Sequence, residues 1–159
     1  MPLLKTLILA LLVSGGAAGL AVAGPFEDAT VAQQKGDNAT ALRLFRLLAE
    51  QGDARAQEYL GYMYRKGLGV PQDYALAVAW YRKAAEQGDA EAQGLLGYMY
   101  EEGQGVPQDY VQAHMWYNLA AVQDGIAANA RDLVAAKMTP AQIAEAHKLA
   151  REWKPKPGR

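Results

Sequence analysis

The sequence predicts an all-α solenoid of about eight helices, built from antiparallel helix pairs that stack in series. The first observation is a repeat: residues 53–88 align without gaps on residues 89–124, and 22 of the 36 positions are identical. The second is that each copy carries the apolar spacing and the capping residues of two helices. The third is composition, because 51% of the 159 residues are apolar and alanine is abundant. Tandem copies of one helical hairpin bury their apolar faces by stacking on one another.

The first helix of the unit begins after Asp53, whose carboxylate can accept hydrogen bonds from the free N–H groups of the first turn. Ala56, Leu60, Met63 and Tyr64 then recur at helical spacing. Gly67 is expected to end this helix in the left-handed conformation. The spacing of apolar positions therefore predicts one amphipathic helix between Asp53 and Gly67.

The second helix follows the loop 68–72, where Pro71 prevents helix continuation, and Asp73 is its predicted N-cap. Its predicted buried stripe contains Ala77, Trp80, Tyr81, Ala84 and Ala85. Gly88 ends it, and Asp89 starts the next unit.

Glycine in the middle of the first helix indicates close packing. Gly61 and Gly97 occupy equivalent positions, where glycine costs about 1 kcal/mol relative to alanine. This cost suggests that the backbone there comes close to another backbone. We expect the bulky Trp80 and Tyr81 to face small residues of the first helix. The aromatic residues predicted to lie in the core are Tyr64, Tyr100, Trp80 and Trp116.

Partial copies of the unit flank the two full ones. Residues 37–52 align on residues 73–88, so residues 24–52 are predicted to form an N-terminal capping hairpin. After the second unit the register slips, and residues 125–153 are predicted to form C-terminal capping helices. The last of these begins at Thr139-Pro140 and carries an apolar side that we expect to cover the final exposed face of the stack. Residues 154–159, which contain two prolines, are expected to form a disordered basic tail.

The first 23 residues have the pattern of a secretory signal peptide. Lys5 is the only charge before Glu27, an apolar stretch follows it, and Ala21-Val22-Ala23 provides the small residues of a cleavage site. We therefore expect cleavage after Ala23 and export to the periplasm or the extracellular space. A retained membrane anchor is the alternative, since the uncharged stretch is long enough to cross a bilayer.

Composition excludes several classes of site. The chain has no cysteine, which excludes disulfides, thiol catalysis and cysteine-ligated metals. Its net charge of −1 does not fit a nucleic-acid-binding protein. Glu101 and Glu102 are adjacent on a helix and point about 100° apart, so they do not form a catalytic pair. We predict no catalytic residues, no cofactor and no metal. His114, which replaces Val78 of the preceding unit, and His147 are expected to have no chemical role.

The repeated residues resemble the Sel1-like repeat family, which is related to the tetratricopeptide repeat. The matching positions of the first copy are Ala56, Leu60, Gly61, Tyr64, Gly67, Gly69, Val70, Asp73, Ala77, Trp80, Ala84, Ala85 and Gly88, and the second copy repeats all but the last. The resemblance implies a right-handed superhelix and a role as an adaptor in protein complexes. Some cysteine-rich members have been linked to penicillin binding or hydrolysis, but this chain has neither cysteine nor a Ser-x-x-Lys motif.

The resemblance also implies a binding surface on the concave face, which the first helix of each unit lines. Helical spacing then selects the side of that helix opposite Leu60 and Met63. The predicted contact residues are Arg55, Glu58, Tyr62, Arg65, Glu91, Tyr98 and Glu101. Stacking of the units is expected to place Tyr62 near Tyr98 and Arg65 near Glu101. The two tyrosines are the predicted anchors, because tyrosine combines apolar area with a polar tip.

The function predicted from the sequence is an exported, monomeric, non-catalytic module that binds a protein or peptide partner on this face. One alternative is a cell-envelope hydrolase or an accessory protein of glycan or peptidoglycan processing. The other is a scaffold tethered to the membrane by an uncleaved N-terminal segment.

Overall fold

The computed structural model describes residues 24–158 and confirms the all-α prediction for that part of the chain, which contains eight helices and no strand. The predicted signal peptide, residues 1–23, lies outside the described residues. The helices are α1 (Pro25–Gln34), α2 (Asn38–Glu50), α3 (Ala54–Lys66), α4 (Tyr74–Glu86), α5 (Ala90–Glu102), α6 (Tyr110–Ala120), α7 (Gly125–Ala135) and α8 (Pro140–Glu152). Each helix from α1 to α6 packs on the next one in the chain, and α8 packs on α6. Between residues 24 and 158 no helix combines the length and hydrophobicity of a membrane span.

The predicted caps start the repeated helices. The Asp53 carboxylate accepts a hydrogen bond from the Ala56 N–H at 3.0 Å, and the Asp73 carboxylate accepts one from the Leu76 N–H at 2.9 Å. Thr139 forms a reciprocal capping box with Gln142 at the start of α8. Each of these helix starts is therefore stabilised by residues of its own first turn, independently of packing between units.

A tyrosine ring fills the space left by each mid-helix glycine. A Cβ atom added at Gly61 would lie 2.7 Å from the Tyr81 ring and 3.2 Å from the Ala77 carbonyl oxygen. One repeat later, a Cβ at Gly97 would lie 2.8 Å from the Tyr117 ring. The predicted close approach is therefore confirmed, and it sets the distance between the two helices of each hairpin.

The loop between the two helices connects neighbouring units. Gly69 and Gly105 have φ near +72° and +71°, and a Cβ at Gly69 would lie 2.8 Å from the Asn38 carbonyl oxygen. Gly105 approaches the Tyr74 backbone in the same way. The positive φ and the lack of room for a Cβ atom both require glycine at these two positions. Through them the loop packs on the first turn of the preceding unit's second helix.

The aromatic residues predicted for the core differ in burial. Trp116 is buried, whereas Trp80, Tyr64 and Tyr100 are only half-buried. The two tyrosines lie at the edge of the core, where their hydroxyls accept hydrogen bonds from arginines of a preceding helix. The Arg46–Tyr64 and Arg82–Tyr100 bonds measure 2.9 and 2.6 Å.

The last helix differs from the prediction that it covers the final exposed face. Helix α8 packs on α6 rather than forming a hairpin with α7, and Ala146 and Ala150 join the core of α4, α5 and α6. As a result, Ile126 and Leu133 of α7 remain 78% and 69% exposed. Apolar periodicity identifies the buried side of α8 but not the helix against which it packs.

Two histidines meet where α8 lies on α6. The His114 and His147 ring centroids are 5.1 Å apart, and the buried His114 Nδ1 has no hydrogen-bond partner among the described residues. Burial lowers the pKa of His114, and the neighbouring His147 lowers it further. His114 is therefore a neutral core residue at the position that Val78 occupies in the preceding unit.

The tail expected to be disordered lies against the solenoid. The Lys156 N–H donates to the Glu86 carbonyl at 2.7 Å, and its ammonium lies 3.3 Å from the Glu86 carboxylate. A Cβ at Gly158 would lie 2.9 Å from the Gly52 carbonyl oxygen. The prolines do prevent a helix, but the free carbonyl at the end of α4 gives an extended chain a backbone partner.

The glycine and tyrosine contact predicts opposite effects for two alanine substitutions in α5. Gly97→Ala forces the Tyr117 ring to move and should lower the free energy of unfolding by about 2 kcal/mol. Gly94→Ala, in the same helix, meets only the Ala120 Cβ at 3.9 Å and should raise it by up to about 1 kcal/mol. Urea denaturation measures both, and equal effects of the two substitutions would contradict this account.

Candidate ligand-binding groove

The side of the solenoid formed by the first helices contains an open groove of about 750 Å³. Three successive first helices contribute to it: the end of α3, one face of α5 and the start of α7. We call this surface the first-helix groove. Its lining residues are Arg65, Ala90, Glu91, Gly94, Leu95, Tyr98, Tyr117, Gln123, Asp124, Ile126, Ala127 and Ala130.

Helix α5 forms the floor of the groove. Glu91, Gly94, Leu95 and Tyr98 recur at helical spacing on its solvent-facing side. Tyr98 is 37% exposed, so its ring presents apolar area together with a free hydroxyl. The predicted contacts Glu91 and Tyr98 both line the groove.

Arg65 borders the groove from α3, held by the aromatic residues beneath it. Its Nε donates to the Tyr81 hydroxyl at 3.3 Å, and its guanidinium carbon lies 5.7 Å from the Tyr62 ring centroid. Tyr62 is half-buried beside Arg65 and does not line the groove. Tyr62 was expected to lie near Tyr98, but within the described residues these two rings do not form an aromatic pair.

The expected pairing of Arg65 with Glu101 does not form. Glu101 instead accepts a hydrogen bond from the Tyr117 hydroxyl at 3.0 Å and forms an ion pair with Lys137 at 2.8 Å. Arg65 and Glu101 are equivalent positions in the two units, and each binds the tyrosine hydroxyl of its own hairpin. Each of these side chains therefore binds the tyrosine hydroxyl of its own hairpin rather than the opposite charge in the neighbouring unit.

Glu58 is buried rather than displayed on the binding surface. Only 6% of it is exposed, and its carboxylate has no hydrogen bond within residues 24–158. Burial raises the pKa of Glu58 to about 8, and the carboxylates of Glu91 and Asp89 contribute to the rise. Asp89 and Glu91, at the start of α5, lie close enough to act on this carboxylate, which periodicity within α3 alone does not predict.

Arg55 is directed away from the groove. Its guanidinium lies 4.1 Å from the Phe26 ring centroid of α1 and 3.6 Å from the Asp53 carboxylate. Three of the seven predicted contacts, Arg65, Glu91 and Tyr98, therefore line the groove. Arg55, Glu58, Tyr62 and Glu101 do not.

Sequence reasoning missed the contribution of α7. Asp124, Ile126 and Ala130 form one wall, although no prediction included them. The available signal was Asp124, which caps α7 by accepting from the Ile126 N–H at 2.9 Å, as Asp53 and Asp89 cap the two earlier first helices. Continuing the repeat across the register slip would have placed α7 beside α5.

The groove combines an apolar floor with charges of both signs. Tyr98, Leu95 and Ile126 offer apolar area, and Arg65 and Glu91 offer opposite charges. Such a surface can bind an extended or helical peptide through side-chain burial and polar contacts at the rim. No group of three metal-ligating residues occurs in the described part of the chain.

Comparison with known protein families identifies this architecture. The family model for the Sel1 repeat matches residues 32–53, 54–89 and 90–124. The first match covers the half unit, and the other two cover the full units found by internal alignment. No curated protein matches the sequence.

Two solved structures share the fold. One is c5321 from uropathogenic Escherichia coli, described as a protective antigen with an SLR fold; it is 33% identical over 81% of this chain, with a TM-score of 0.78. The other is a Sel1 repeat protein from Oxalobacter formigenes, 30% identical over 81% of this chain, with a TM-score of 0.67. The chain spans 29% and 56% of the length of these two relatives.

The buried Glu58 carboxyl predicts that stability falls as pH rises. The pKa of the Glu58 carboxyl is higher in the folded state than its ordinary value of 4.5. The stabilisation that the folded state gains from binding this proton is therefore complete below about pH 4.5 and is lost as the pH approaches 8. Glu58→Gln should remove this part of the pH dependence and raise the free energy of unfolding at pH 8.5 by an amount on the order of 3 kcal/mol.

Urea denaturation between pH 5 and 8.5 measures the effect. Glu152→Gln, which changes an exposed carboxylate at the end of α8, is the control and should follow the unsubstituted chain. If Glu58→Gln also runs parallel to the unsubstituted chain at every pH, Glu58 does not titrate as described.

Proposed function

The chain belongs to the Sel1 repeat family, and from this membership we propose that it is an exported, non-catalytic adaptor that binds a protein or peptide in the first-helix groove. Sel1 repeats generally serve as scaffolds for protein–protein interaction. The observation that carries the proposal is the exposed Tyr98 ring, which lies among Leu95, Glu91 and Arg65 in a groove of about 750 Å³.

Three properties of the groove support a peptide rather than a small molecule as its ligand. The groove is an open channel across three successive first helices, which suits an elongated ligand. Its floor is apolar, with an aromatic anchor of the type that dominates binding energy at protein interfaces. Its rim carries charges of both signs, which can select the register of a bound chain.

The proposed interface is more rigid than a loop-based one. Tyr98 and Leu95 project from the middle of α5, and Arg65 is already ordered by Tyr81. A ligand would therefore not have to order these side chains on binding, which reduces the entropy cost of association.

Export is the second part of the proposal, and it rests on residues 1–23. The N-terminal sequence has a basic start, an apolar centre and an Ala-x-Ala end. The similarity to c5321, a protein described as a protective antigen, supports a location accessible to antibodies.

Binding is tested with peptides selected from a random library displayed on phage, using the immobilised chain as bait. Tyr98→Ala should weaken the selected peptides by tenfold or more, because it removes the aromatic floor of the groove. Tyr62→Ala is the matched control: it removes a tyrosine of the equivalent repeat position that lies outside the groove lining, and should change affinity less than threefold. Calorimetric titration gives both values, and equal losses for the two variants would place the binding surface elsewhere.

The export proposal predicts a defined mature protein. Intact-mass measurement after expression with a secretion-competent host should give a chain that begins at Gly24. Ala23→Arg should prevent cleavage, because signal peptidase requires a small residue there. A native mass that retains residues 1–23 would favour the membrane-tethered alternative instead.

A further inference from the structure

A residue near the C-terminus occupies a surface site between the two full units, formed by α4 and α6. Trp153 follows α8, and its ring lies edge-on to Trp116 with the centroids 6.4 Å apart. A Cβ at Gly88 would lie 3.9 Å from the tip of the Trp153 ring, and Ala85 belongs to the cluster against which Trp153 packs. We call this arrangement the Trp153 site.

The equivalent site one repeat earlier, between α2 and α4, is only partly covered: among the described residues the tail reaches it with Gly158, which lies against the Gly52 carbonyl. A shift of one 36-residue repeat converts Trp116, Gly88 and Ala85 into Trp80, Gly52 and Ala49. Trp80 and Ala49 line a cavity of about 620 Å³ between the C-terminal ends of α2 and α4. We call it the Trp80 cavity, and residues 156–158 of the tail form one of its walls.

The residue that makes the polar contacts with the tail also has an equivalent one repeat earlier. The Lys156 N–H binds the Glu86 carbonyl at 2.7 Å, and its ammonium pairs with the Glu86 carboxylate at 3.3 Å. The repeat-equivalent residue is Glu50, which lines the Trp80 cavity and is exposed. Within the described residues Glu50 has no ion pair, and its carbonyl at the end of α2 has no backbone donor.

We propose that the Trp80 cavity is a second protein-docking site, which receives an aromatic side chain of a partner segment that carries a lysine or arginine three residues later. The ring would lie against Trp80 and above Ala49, as Trp153 lies against Trp116 and Ala85. The cation would pair with the Glu50 carboxylate, and the partner backbone would bind the free Glu50 carbonyl, as Lys156 does at Glu86.

The chain itself supplies the argument for this ligand chemistry. Residues 37–88 align on residues 73–124, so a segment that fits between α4 and α6 has a related surface between α2 and α4. The segment Trp153-Lys154-Pro155-Lys156 is seated between α4 and α6. An aromatic residue followed three positions later by a cation is therefore a ligand pattern that fits the repeat-equivalent surface.

The two sites differ at two lining side chains. Glu86, which pairs with Lys156, stands where the next repeat has Val122. Lys83 replaces Leu119, and its ammonium lies 4.2 Å from the Trp80 ring centroid. Because Lys83 is exposed, it can move aside without burying its charge, or remain in contact with the π-systems of both rings. Gln57 and Gln87, joined by a 2.8 Å hydrogen bond, add a polar wall that an indole N–H can use.

The Trp80 cavity shares no lining residue with the first-helix groove. A partner held there would leave the groove free. The chain could therefore join two proteins, and loss of binding at one site would not remove binding at the other.

The test uses a synthetic peptide of residues 149–158 as the probe and the intact chain as the receptor. The indole N–H signals of the chain, assigned by single Trp→Phe substitutions, report which site responds in NMR titration. The Trp80 signal should shift saturably. A peptide with Trp153→Ala should bind at least tenfold more weakly, and Glu50→Lys in the chain should weaken the original peptide at least fivefold.

Glu50→Lys changes an exposed side chain, so it tests the Trp80 cavity without a substitution in the core-packed Trp80. Shifts confined to the Trp116 and Trp153 signals would show that the peptide only displaces the chain's own tail, and would overturn the proposal. A Trp80 response to chitotriose but not to the peptide would also overturn it, in favour of a glycan ligand. Self-association that Trp153→Ala abolishes, measured by sedimentation, would replace the partner with a second copy and overturn it as well.

Discussion

One contact in each unit sets both the hairpin spacing and the chemistry of the groove: a tyrosine ring packed on a mid-helix glycine. Tyr81 on Gly61 and Tyr117 on Gly97 bring the two helices close enough that any side chain at the glycine would collide with the ring. Glycine costs about 1 kcal/mol in a helix, but burying an aromatic ring stabilises the hairpin by more than that. The hydroxyl of the same ring then reaches the groove side of the first helix.

The tyrosine hydroxyl explains how two nearly identical units display opposite charges. Burial raises the pKa of Tyr81 to about 12, and burial together with Glu101 raises the pKa of Tyr117, so both hydroxyls keep their protons. A protonated hydroxyl can accept from the Arg65 guanidinium in one unit and donate to the Glu101 carboxylate in the next. The scaffold therefore orders a charge of either sign at this position without a change in the core.

Local signals in the sequence predicted most of the fold. The caps at Asp53 and Asp73, the αL conformation of Gly67 and the close approach at Gly61 each depend on residues within one hairpin, and all four are confirmed.

The positions that could not be predicted depend on contacts with other units of the stack. Glu58 has the spacing of a surface residue on α3, but it is buried, and the carboxylates of Asp89 and Glu91 at the start of α5 act on it. Helix α8 has a clear apolar side, but nothing within its own sequence favours α6 over α7. The same limit explains why only three of the seven predicted contacts line the groove, and why the wall from α7 was missed.

Several of the differences between the two full units lie where binding is proposed. The 22 identical positions include the caps, the loop glycines and the tyrosine and glycine pairs, which hold each hairpin together. In the groove, Arg65, Glu91, Gly94 and Leu95 lie at positions where the units differ, whereas the anchor Tyr98 lies at a shared one. The Trp80 cavity follows the same rule, since its Trp80 is shared and its Lys83 is not. A stack of repeats presents each surface several times, so identical units would offer identical sites to a single ligand. Changes at partly or fully exposed positions such as Arg65, Glu91 and Lys83 leave the shared packing contacts in place and give each unit its own ligand chemistry, which is what an adaptor requires.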